Sequence, residues 1–409
     1  MNDPYAALRI ADFRFFISAR FCVTLAIQIQ GVVVGYQVYE ITKDAFSLGL
    51  IGLAEAVPSI IVSLYAGHVA DVVIRKKIIL WCLSTLVFCS TGLLFFTTDP
   101  GAFMLSYGVI PIYSVIFISG IARGFLTPAN FSFMPQLVPR ELFSNAVTIN
   151  STTWETASIA GPALGGFLYG LLGITVSYAA DVVLMIAGLM LIINVASRPL
   201  PPESEEQGVY DKIKAGLRFV FTNKIVLAAI SLDLFAVLFG GAVALLPIFA
   251  DQVLHVGPVG FGFLRAAPSI GALAIAFVVM HNPIRRNMGR LLLWCVAGFG
   301  FCMIGFGLST EFWLSLALLV ASGAFDCVSV IIRLTLLQTL TPENMKGRVS
   351  AVNNIFIGSS NEIGMFESGV AARAIGVVPS VIFGGCMTVA VVSTISWFSK
   401  SLRRLQNVT

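Results

Sequence analysis

The chain has 409 residues, of which 57% are hydrophobic and only 11% are charged. Soluble domains carry about 25% charged residues, so this composition excludes an ordinary soluble enzyme or binding module. The formal net charge is only +4, which gives no support to a nucleic-acid partner.

Twelve apolar stretches follow one another along the chain. Roughly 20 apolar residues span a bilayer, and every backbone polar group must be satisfied inside the segment, which favours helices. The first stretch is too long and too polar to be a cleaved signal peptide. The sequence therefore predicts an all-α polytopic membrane protein with spans at 14–38, 46–70, 78–97, 104–131, 143–170, 174–196, 224–250, 259–280, 289–308, 312–338, 347–373 and 378–398.

Lysine and arginine residues are distributed unevenly between the loops. On this assignment 19 of the 25 lie at the termini and in the loops that follow even-numbered spans. Lys43 is the only one in a loop on the opposite side. The positive-inside rule then predicts that both termini are cytoplasmic.

A change of composition at 197–223 divides the chain. This segment begins with prolines and glutamates, and its residues 211–220 carry apolar side chains at helical spacing. That pattern is typical of an amphipathic helix lying on a membrane surface. We expect an N-terminal six-helix half at 1–196, a cytoplasmic linker at 197–223 and a C-terminal six-helix half at 224–409.

The two halves share short sequence matches in the same order. Residues 56–60 (AVPSI) match 266–270 (AAPSI), and 80–89, with its LWC and FC pairs, matches 293–302. Repeated halves of a membrane protein place a substrate path between them, near the bilayer midplane. The sequence therefore predicts the architecture of a transporter.

A compact charged stretch, Gly67–Lys77, lies between the second and third apolar stretches and must sit at a membrane surface. It contains Asp71 and a basic cluster at 75–77. This stretch resembles the motif between helices 2 and 3 of the major facilitator superfamily, although Val72 and Ile74 depart from that motif. The fifth span carries Gly161–Gly166 (GPALGG), which resembles the antiporter motif of the same superfamily.

Arg123 lies where the superfamily has a membrane-buried arginine, and the chain as a whole is most similar to its branch of enterobactin exporters and drug–proton antiporters. The resemblance implies a secondary active exporter of a small amphiphilic molecule, a siderophore or a drug, which works by alternating access and proton antiport. It implies a monomer in the lipid bilayer of a bacterial inner membrane, whose partners are its substrate and protons. Macrolide-type multidrug efflux is an alternative within the same class. A non-transporting sensor or an intramembrane enzyme is the alternative from another class, but the sequence has no cofactor, metal or nucleophile motif to support it.

Ionisable side chains inside spans cost about 2.5–3.5 kcal/mol each on insertion scales and are therefore functional candidates. Superposing the halves puts opposite charges at three pseudo-equivalent pairs of positions: Arg20 and Asp233, Glu55 and Arg265, and Arg123 and Asp326. We expect these charges to make contacts between the halves that break and re-form during transport. Helix neighbours in the resembled fold would put Glu55 near Glu362 or Glu367, and Arg265 near Glu155. The alternative is that each charge is neutralised within its own half.

Helices 1, 4, 7 and 10 line the cavity in the resembled fold. On that basis the expected substrate and cavity residues are Gln28, Arg123, Thr127, Asn130, Asp233, Asp326 and Arg333. The alternative is that these polar residues hold helices together. Proton coupling needs a carboxylate whose charge responds to burial and to an approaching cation, and the candidates are Asp326, Asp233 and Glu155.

The expected gating residues are Glu55, Gly67, Asp71, Arg75, Gly161, Pro162, Arg265 and Glu362. The resemblance implies that Asp71 is a latch against the start of helix 11. The counterpart of this stretch in the second half, 281–286, keeps the basic end but has His281 where the first half has Asp71. We therefore predict that neutralising Asp71 impairs transport far more than altering His281.

Overall fold

The computed structural model describes residues 5–98, 106–199, 217–240, 242–282, 287–342 and 345–403. Within those residues the regular secondary structure is helical, with no strand. The long helices are α1 (Ala11–Thr42), α2 (Ala45–Val72), α3 (Arg75–Phe95), α4 (Ile110–Phe133), α5 (Phe143–Leu172), α6 (Ile174–Ile193), α7 (Lys224–Gly240), α8 (Gly257–His281), α9 (Met288–Leu308), α10 (Phe312–Leu340), α11 (Lys346–Ile375) and α12 (Val377–Phe398). They agree in number and order with the twelve predicted spans.

By length and composition of the described residues, ten of these helices are long and apolar enough to cross a membrane. The two that do not meet that standard, α5 and α11, occupy equivalent places in the two halves. The first half of each is rich in Ser, Thr and Asn, as in 147–156 and 350–361. The all-α polytopic fold is therefore confirmed, and the two least apolar helices are the fifth of each half.

Single glycines connect the last two helices of each half. Gly173 ends α5 and precedes α6 at a φ of +84°, and Gly376 does the same between α11 and α12 at +96°. Residues with a Cβ rarely adopt such positive φ values, whereas glycine adopts them at no steric cost. The matching turns add structural support to the internal duplication.

Two compact units make up the chain. Unit 1 comprises Met1–Lys43, Ala54–Glu203 and Gly257–Ala266, and unit 2 comprises Asp44–Leu53, Ser204–Val256 and Ala267–Thr409. These units differ from the predicted halves in one respect: the first part of α2 belongs to unit 2, and the first part of α8 belongs to unit 1. The main boundary, between Glu203 and Ser204, falls inside the predicted linker.

The sequence matches on α3 and α9 have the same burial pattern in their respective units. In unit 1, Trp81 and Phe88 are exposed while Cys82 and Cys89 are buried. In unit 2 the equivalent residues behave alike: Trp294 and Phe301 are exposed, and Cys295 and Cys302 are buried. In a membrane-spanning chain, exposed aromatic side chains of this kind face lipid, so each helix turns the same face to the bilayer.

A proline in the second helix of each half packs against a glycine two helices later. In unit 1, a Cβ added at Gly120 of α4 would lie 2.8 Å from Pro58 Cγ of α2. In unit 2, the position of a Cβ on Gly323 of α10 is taken by the carbonyl oxygen of Pro268 of α8. Small residues allow such close helix packing inside membranes.

Part of the predicted linker lies outside the described residues, including 200–216 and so most of the expected amphipathic helix. Residues 217–222, its final part, are helical. Val220 is buried there with Val226, Ile230 and Leu337 of unit 2. The end of the linker is therefore anchored in unit 2.

Candidate functional site

A partly buried polar network in unit 1 is centred on Arg123 of α4. Gly120, one turn earlier, brings the α4 backbone against α2, since a Cβ there would lie 2.6 Å from the carbonyl oxygen of Glu55. Arg123 consequently forms an ion pair with the Glu55 side chain through its Nη1. Its Nη2 also donates a hydrogen bond to Gln30 Oε1 of α1, at 3.4 Å.

Gln30 extends this network to α3 and α6. The Gln30 Nε2 group donates to Asp181 Oδ2 at 3.1 Å and lies 3.2 Å from Ser90 Oγ, which also hydrogen-bonds to Asp181. Asp181 and Ser90 are fully buried, and Gln30 is 2% exposed. One glutamine amide therefore separates the guanidinium of Arg123 from the carboxyl group of Asp181.

Two further polar contacts lie farther along α1 in unit 1. The hydroxyl of Tyr178 (α6) donates to Gln37 Oε1 at 2.6 Å, and the hydroxyl of Tyr169 (α5) donates to Glu40 Oε2 at 2.5 Å. Residues 30, 37 and 40 follow the helical repeat, so α1 presents one polar stripe to the neighbouring helices. These bonds join α1 to α6 and α5.

Unit 2 contains a different arrangement around α7 and α10. Arg333 of α10 forms an ion pair with Asp233 of α7, and both side chains are almost fully buried. Asp233 also lines a small cavity together with Asp326 and Ser329 of α10. The remaining lining residues are apolar: Ala236, Val237, Val296 and Phe299. The cavity thus has two carboxyl groups in a largely apolar wall.

The observed ion pairs differ from the pairing expected between the halves. Glu55 pairs with Arg123 inside unit 1, and Asp233 pairs with Arg333 inside unit 2. Both follow the alternative interpretation, in which each charge is neutralised within its own half. The physical reason is proximity, because the two helices that carry each pair already pack together in one unit. The suggested neighbourhood of Glu155 and Arg265 stays a prediction.

The predicted cavity residues of α1 and α4 have mixed surroundings. Gln28 has its Cβ directly against Gly161 of α5, so the base of its side chain fills the α1–α5 contact. Thr127 is exposed and donates to the Arg123 carbonyl oxygen of its own helix at 3.2 Å, while Asn130 is partly buried. The structure therefore brings Arg123 to Glu55 and Gln30 but gives Thr127 a local partner.

The glycine motif of α5 makes close helix approaches within unit 1. A Cβ on Gly166 would lie 2.6 Å from the carbonyl oxygen of Pro258 and 2.7 Å from Gly262 Cα, both in the first part of α8. A Cβ on Gly262 would lie 2.7 Å from the carbonyl oxygen of Pro162. Gly161 and Gly166 thus pack α5 on α1 and on the beginning of α8. Arg265, later on α8, lies against Gly31 of α1.

The charged stretch Gly67–Lys77 joins α2 to α3. Arg75 Nε donates to the Ala70 carbonyl oxygen at 3.2 Å. Lys76 Nζ donates to the carbonyl oxygens of Ile193, the last residue of α6, and of Val195, at 2.9 and 2.5 Å. Cations stabilise helix C-termini, where carbonyl groups lack partners. Two basic residues of this stretch therefore cap the ends of α2 and α6.

Three predicted gating side chains lie outside the described side chains: Gly67, Asp71 and Glu362. The Asp71 latch accordingly stays a prediction. Of the other candidates, Glu155 is partly buried on α5 and Arg20 is partly buried on α1.

The sequence identifies Asp181 only as one of the ionisable residues inside spans, with no assigned role, and it does not point to Ser90 or Tyr178. Asp181 had one recognisable signal, since a carboxylate inside an apolar span needs a hydrogen-bonding or charged partner. The partner, Gln30, is 151 residues away, and spacing along the chain does not indicate such a contact. Ser90 and Tyr178 are ordinary residues of apolar helices until the fold sets them beside Asp181 and Gln37.

Similarity to characterised proteins extends over most of the chain. Enterobactin exporters EntS of Shigella dysenteriae serotype 1 and of Escherichia coli O139:H28 are each 27% identical to it over 341 residues, which is 83% of this chain and 80% of theirs. Among solved structures, a D-xylose–proton symporter superposes with a TM-score of 0.74 at 13% identity, covering 94% of this chain and 96% of its own. An auto-inhibited POT family peptide transporter gives 0.73 at 11%, with 97% and 98% coverage. These two show the fold alone.

One protein-family model matches nearly the whole length of the chain. The family model of transmembrane secretion effectors matches residues 2–407. With this match, the twelve helices and the major facilitator fold, the chain belongs to the transmembrane secretion effector family, and it is a multi-pass membrane transporter.

Proposed function

We propose that this protein exports a small amphiphilic molecule of the siderophore class out of the cytoplasm in exchange for protons. The observation that carries the proposal is the similarity to enterobactin exporters over 341 residues, which includes most of both units. The proposal places the chain in a bacterial inner membrane with both termini in the cytoplasm. The bias of lysine and arginine towards the termini and the loops on their side supports that orientation.

The cavity of unit 2 supports proton exchange. Asp326 lines it and forms no ion pair among the described residues, whereas the neighbouring Asp233 is paired with Arg333. A buried carboxyl group without a cation is the kind of group that exchanges a proton, because its charged form is costly in an apolar wall. On this proposal Asp326 carries the exchanged proton and Asp233 keeps Arg333 neutralised.

Purified protein in liposomes tests the function. With a pH gradient that drives protons into the vesicles, we expect enterobactin to move in the opposite direction and to accumulate outside. A pH-sensitive dye inside the vesicles should report the linked proton movement. Asp326→Asn should abolish the dependence on the gradient. Glu311→Gln is the matched control, since that carboxylate is exposed at the beginning of α10 and outside the cavity.

The substrate arm of the same assay uses a macrolide as the second probe. Transport of the macrolide with no transport of enterobactin would replace the siderophore class by the drug class. A gradient that moves neither molecule would overturn the proposal, and unchanged coupling in Asp326→Asn would remove Asp326 from it.

A further inference from the structure

The polar network of unit 1 contains one more acid than base. Glu55 and Asp181 are its two carboxyl groups, and Arg123 is the one arginine that reaches both, directly to Glu55 and through Gln30 to Asp181. If both acids were ionised, the network would hold a net negative charge within a membrane-spanning bundle. An isolated buried charge costs several kcal/mol even after relaxation. A bound proton removes that cost.

The hydrogen bonds indicate which acid holds the proton. Glu55 contacts Arg123 directly, and about a fifth of its side chain is exposed, so it can remain ionised. Asp181 is fully buried, and its Oδ1 has no hydrogen-bond partner in the part of the chain that the structure describes. An ionised carboxylate in such a place needs donors on both oxygens. The bare Oδ1 therefore fits a neutral carboxylic acid.

Among the residues that the structure describes, the surroundings of Asp181 supply no second cation. The titratable groups that face it from its own and neighbouring helices are Arg123 of α4, Cys89 of α3 and Tyr178 of α6, with Tyr169 of α5 next to Tyr178. Arg265 of α8 lies against Gly31, about 100° around α1 from Gln30. Arg123 is thus the cation available to Asp181.

We propose that Asp181 is a proton-binding site of unit 1, and that Glu55 and Asp181 compete for Arg123 through the amide of Gln30. When Arg123 pairs with Glu55, as in this structure, Asp181 holds the proton. When Arg123 moves to Asp181, the Asp181 O–H bond breaks and the proton passes to water, while Glu55 takes a proton from hydronium on its exposed side. One proton leaves and one enters, so the charge of the network stays constant.

This site deepens the proposed proton antiport. The role of the site in transport rests on that proposed function, whereas the protonation of Asp181 is independent of it. Infrared difference spectroscopy on the full-length protein in lipid nanodiscs tests it without any substrate. The C=O stretch of a protonated carboxylic acid is separate from the bands of carboxylates. We expect the wild-type protein near neutral pH to show an acid band that Asp181→Asn lacks.

A second variant tests the competition for arginine. Glu55→Gln frees Arg123, which should then pair with Asp181 and ionise it, so the same acid band should disappear although Asp181 is intact. Glu141→Gln is the control, because that carboxylate is exposed outside the network and its loss should leave the band unchanged. A band that persists in full in Asp181→Asn overturns the proton site. Persistence in Glu55→Gln of the part of the band that is lost in Asp181→Asn overturns the competition.

A folding defect in Asp181→Asn does not end the test. Ser90→Ala removes one hydrogen bond from Asp181 and should shift the frequency of the acid band, and an unshifted band would count against the assignment. The liposome assay separates the two proposals. If the infrared results hold and no gradient-driven export is found, the proton site stands and the proposed function fails.

Discussion

The two units bury their charged groups in different ways. In unit 1 the Arg123–Glu55 pair is partly exposed, at 20% and 22% of the side chains, and it continues through Gln30 to a second acid. In unit 2 the Arg333–Asp233 pair is closed off, at 2% and 6%, and the second acid, Asp326, lies on the cavity beside it. Each unit therefore combines one arginine with two acids, but only unit 1 links all three by hydrogen bonds.

The difference in exposure indicates that the pair in unit 2 stabilises helix packing and that the pair in unit 1 can exchange partners. A fully buried pair holds its helices only while both partners are present, because either charge left alone is very costly. A partly exposed pair is more easily compensated by water. We infer that the arginine of unit 2 is fixed and that the arginine of unit 1 is free to change partners.

The largest expected effect comes from breaking the buried pair. Arg333→Met should lower the free energy of unfolding by about 3–5 kcal/mol, since it leaves Asp233 ionised and unpaired. Thermal or denaturant unfolding of the protein in detergent measures this. The double variant Asp233→Leu with Arg333→Met should recover most of the loss.

Arg123→Met is the matched variant in unit 1 and should cost clearly less, because Glu55 is partly exposed. Equal losses in the two arginine variants would erase the distinction between the units. A double variant as unstable as the sum of the two single variants would show that the Arg333–Asp233 pair is not coupled.

Close helix approaches give the next effect. Gly166→Ala places a Cβ 2.6 Å from the Pro258 carbonyl oxygen and should cost about 1–3 kcal/mol by overpacking, with a fall in transport. Gly49→Ala in unit 2 meets Gly369 Cα at 3.0 Å and should cost less. Gly92→Ala is the control, since its nearest neighbour would be at an ordinary 3.8 Å. If Gly92→Ala proves as harmful as Gly166→Ala, backbone contact is not the cause.

The sequence was sufficient to predict the helices and the internal duplication, because both depend on local composition. The repeated Trp and Cys residues of α3 and α9 were recognised as a match, and the structure gives them the same faces: Trp81 and Trp294 exposed, Cys82 and Cys295 buried. A helical repeat fixes which residues share a face. Apolar length fixes where a helix can span.

The sequence did not predict which charged side chains pair with each other. Opposite charges at superposed positions suggested contacts between the halves, yet Glu55 pairs with Arg123 in its own unit. That pairing depends on Gly120, which lets α4 approach α2, and on the rotation of each helix about its axis. Asp181 needed the same information, because its partners Gln30 and Ser90 come from two other helices.

Buried hydroxyl groups give a smaller effect that again compares the units. Tyr178→Phe leaves Gln37 Oε1 without its 2.6 Å donor in a buried site of unit 1, and we expect a loss of about 1.5 kcal/mol. Thr388→Val in unit 2 removes a hydroxyl that donates only to backbone carbonyl oxygens, of Gly384 and Ala236. Those oxygens can keep helical partners, so this loss should be smaller. Unfolding of the two variants side by side measures both losses of stability. A larger loss in Thr388→Val than in Tyr178→Phe would contradict this prediction.

The smallest effect is expected at Lys76, which caps the C-terminal end of α6 in unit 1. Lys76→Ala removes the donor to the Ile193 and Val195 carbonyl oxygens, and loss of a cation at a helix C-terminus costs about 0.3–1 kcal/mol. Lys77→Ala is the control, because that side chain is exposed and equally basic. Hydrogen exchange at 190–196 should rise in Lys76→Ala alone. Equal exchange in the two variants would mean that Lys76 contributes general positive charge rather than a helix cap, which would leave the Asp71 latch as the main role for this stretch.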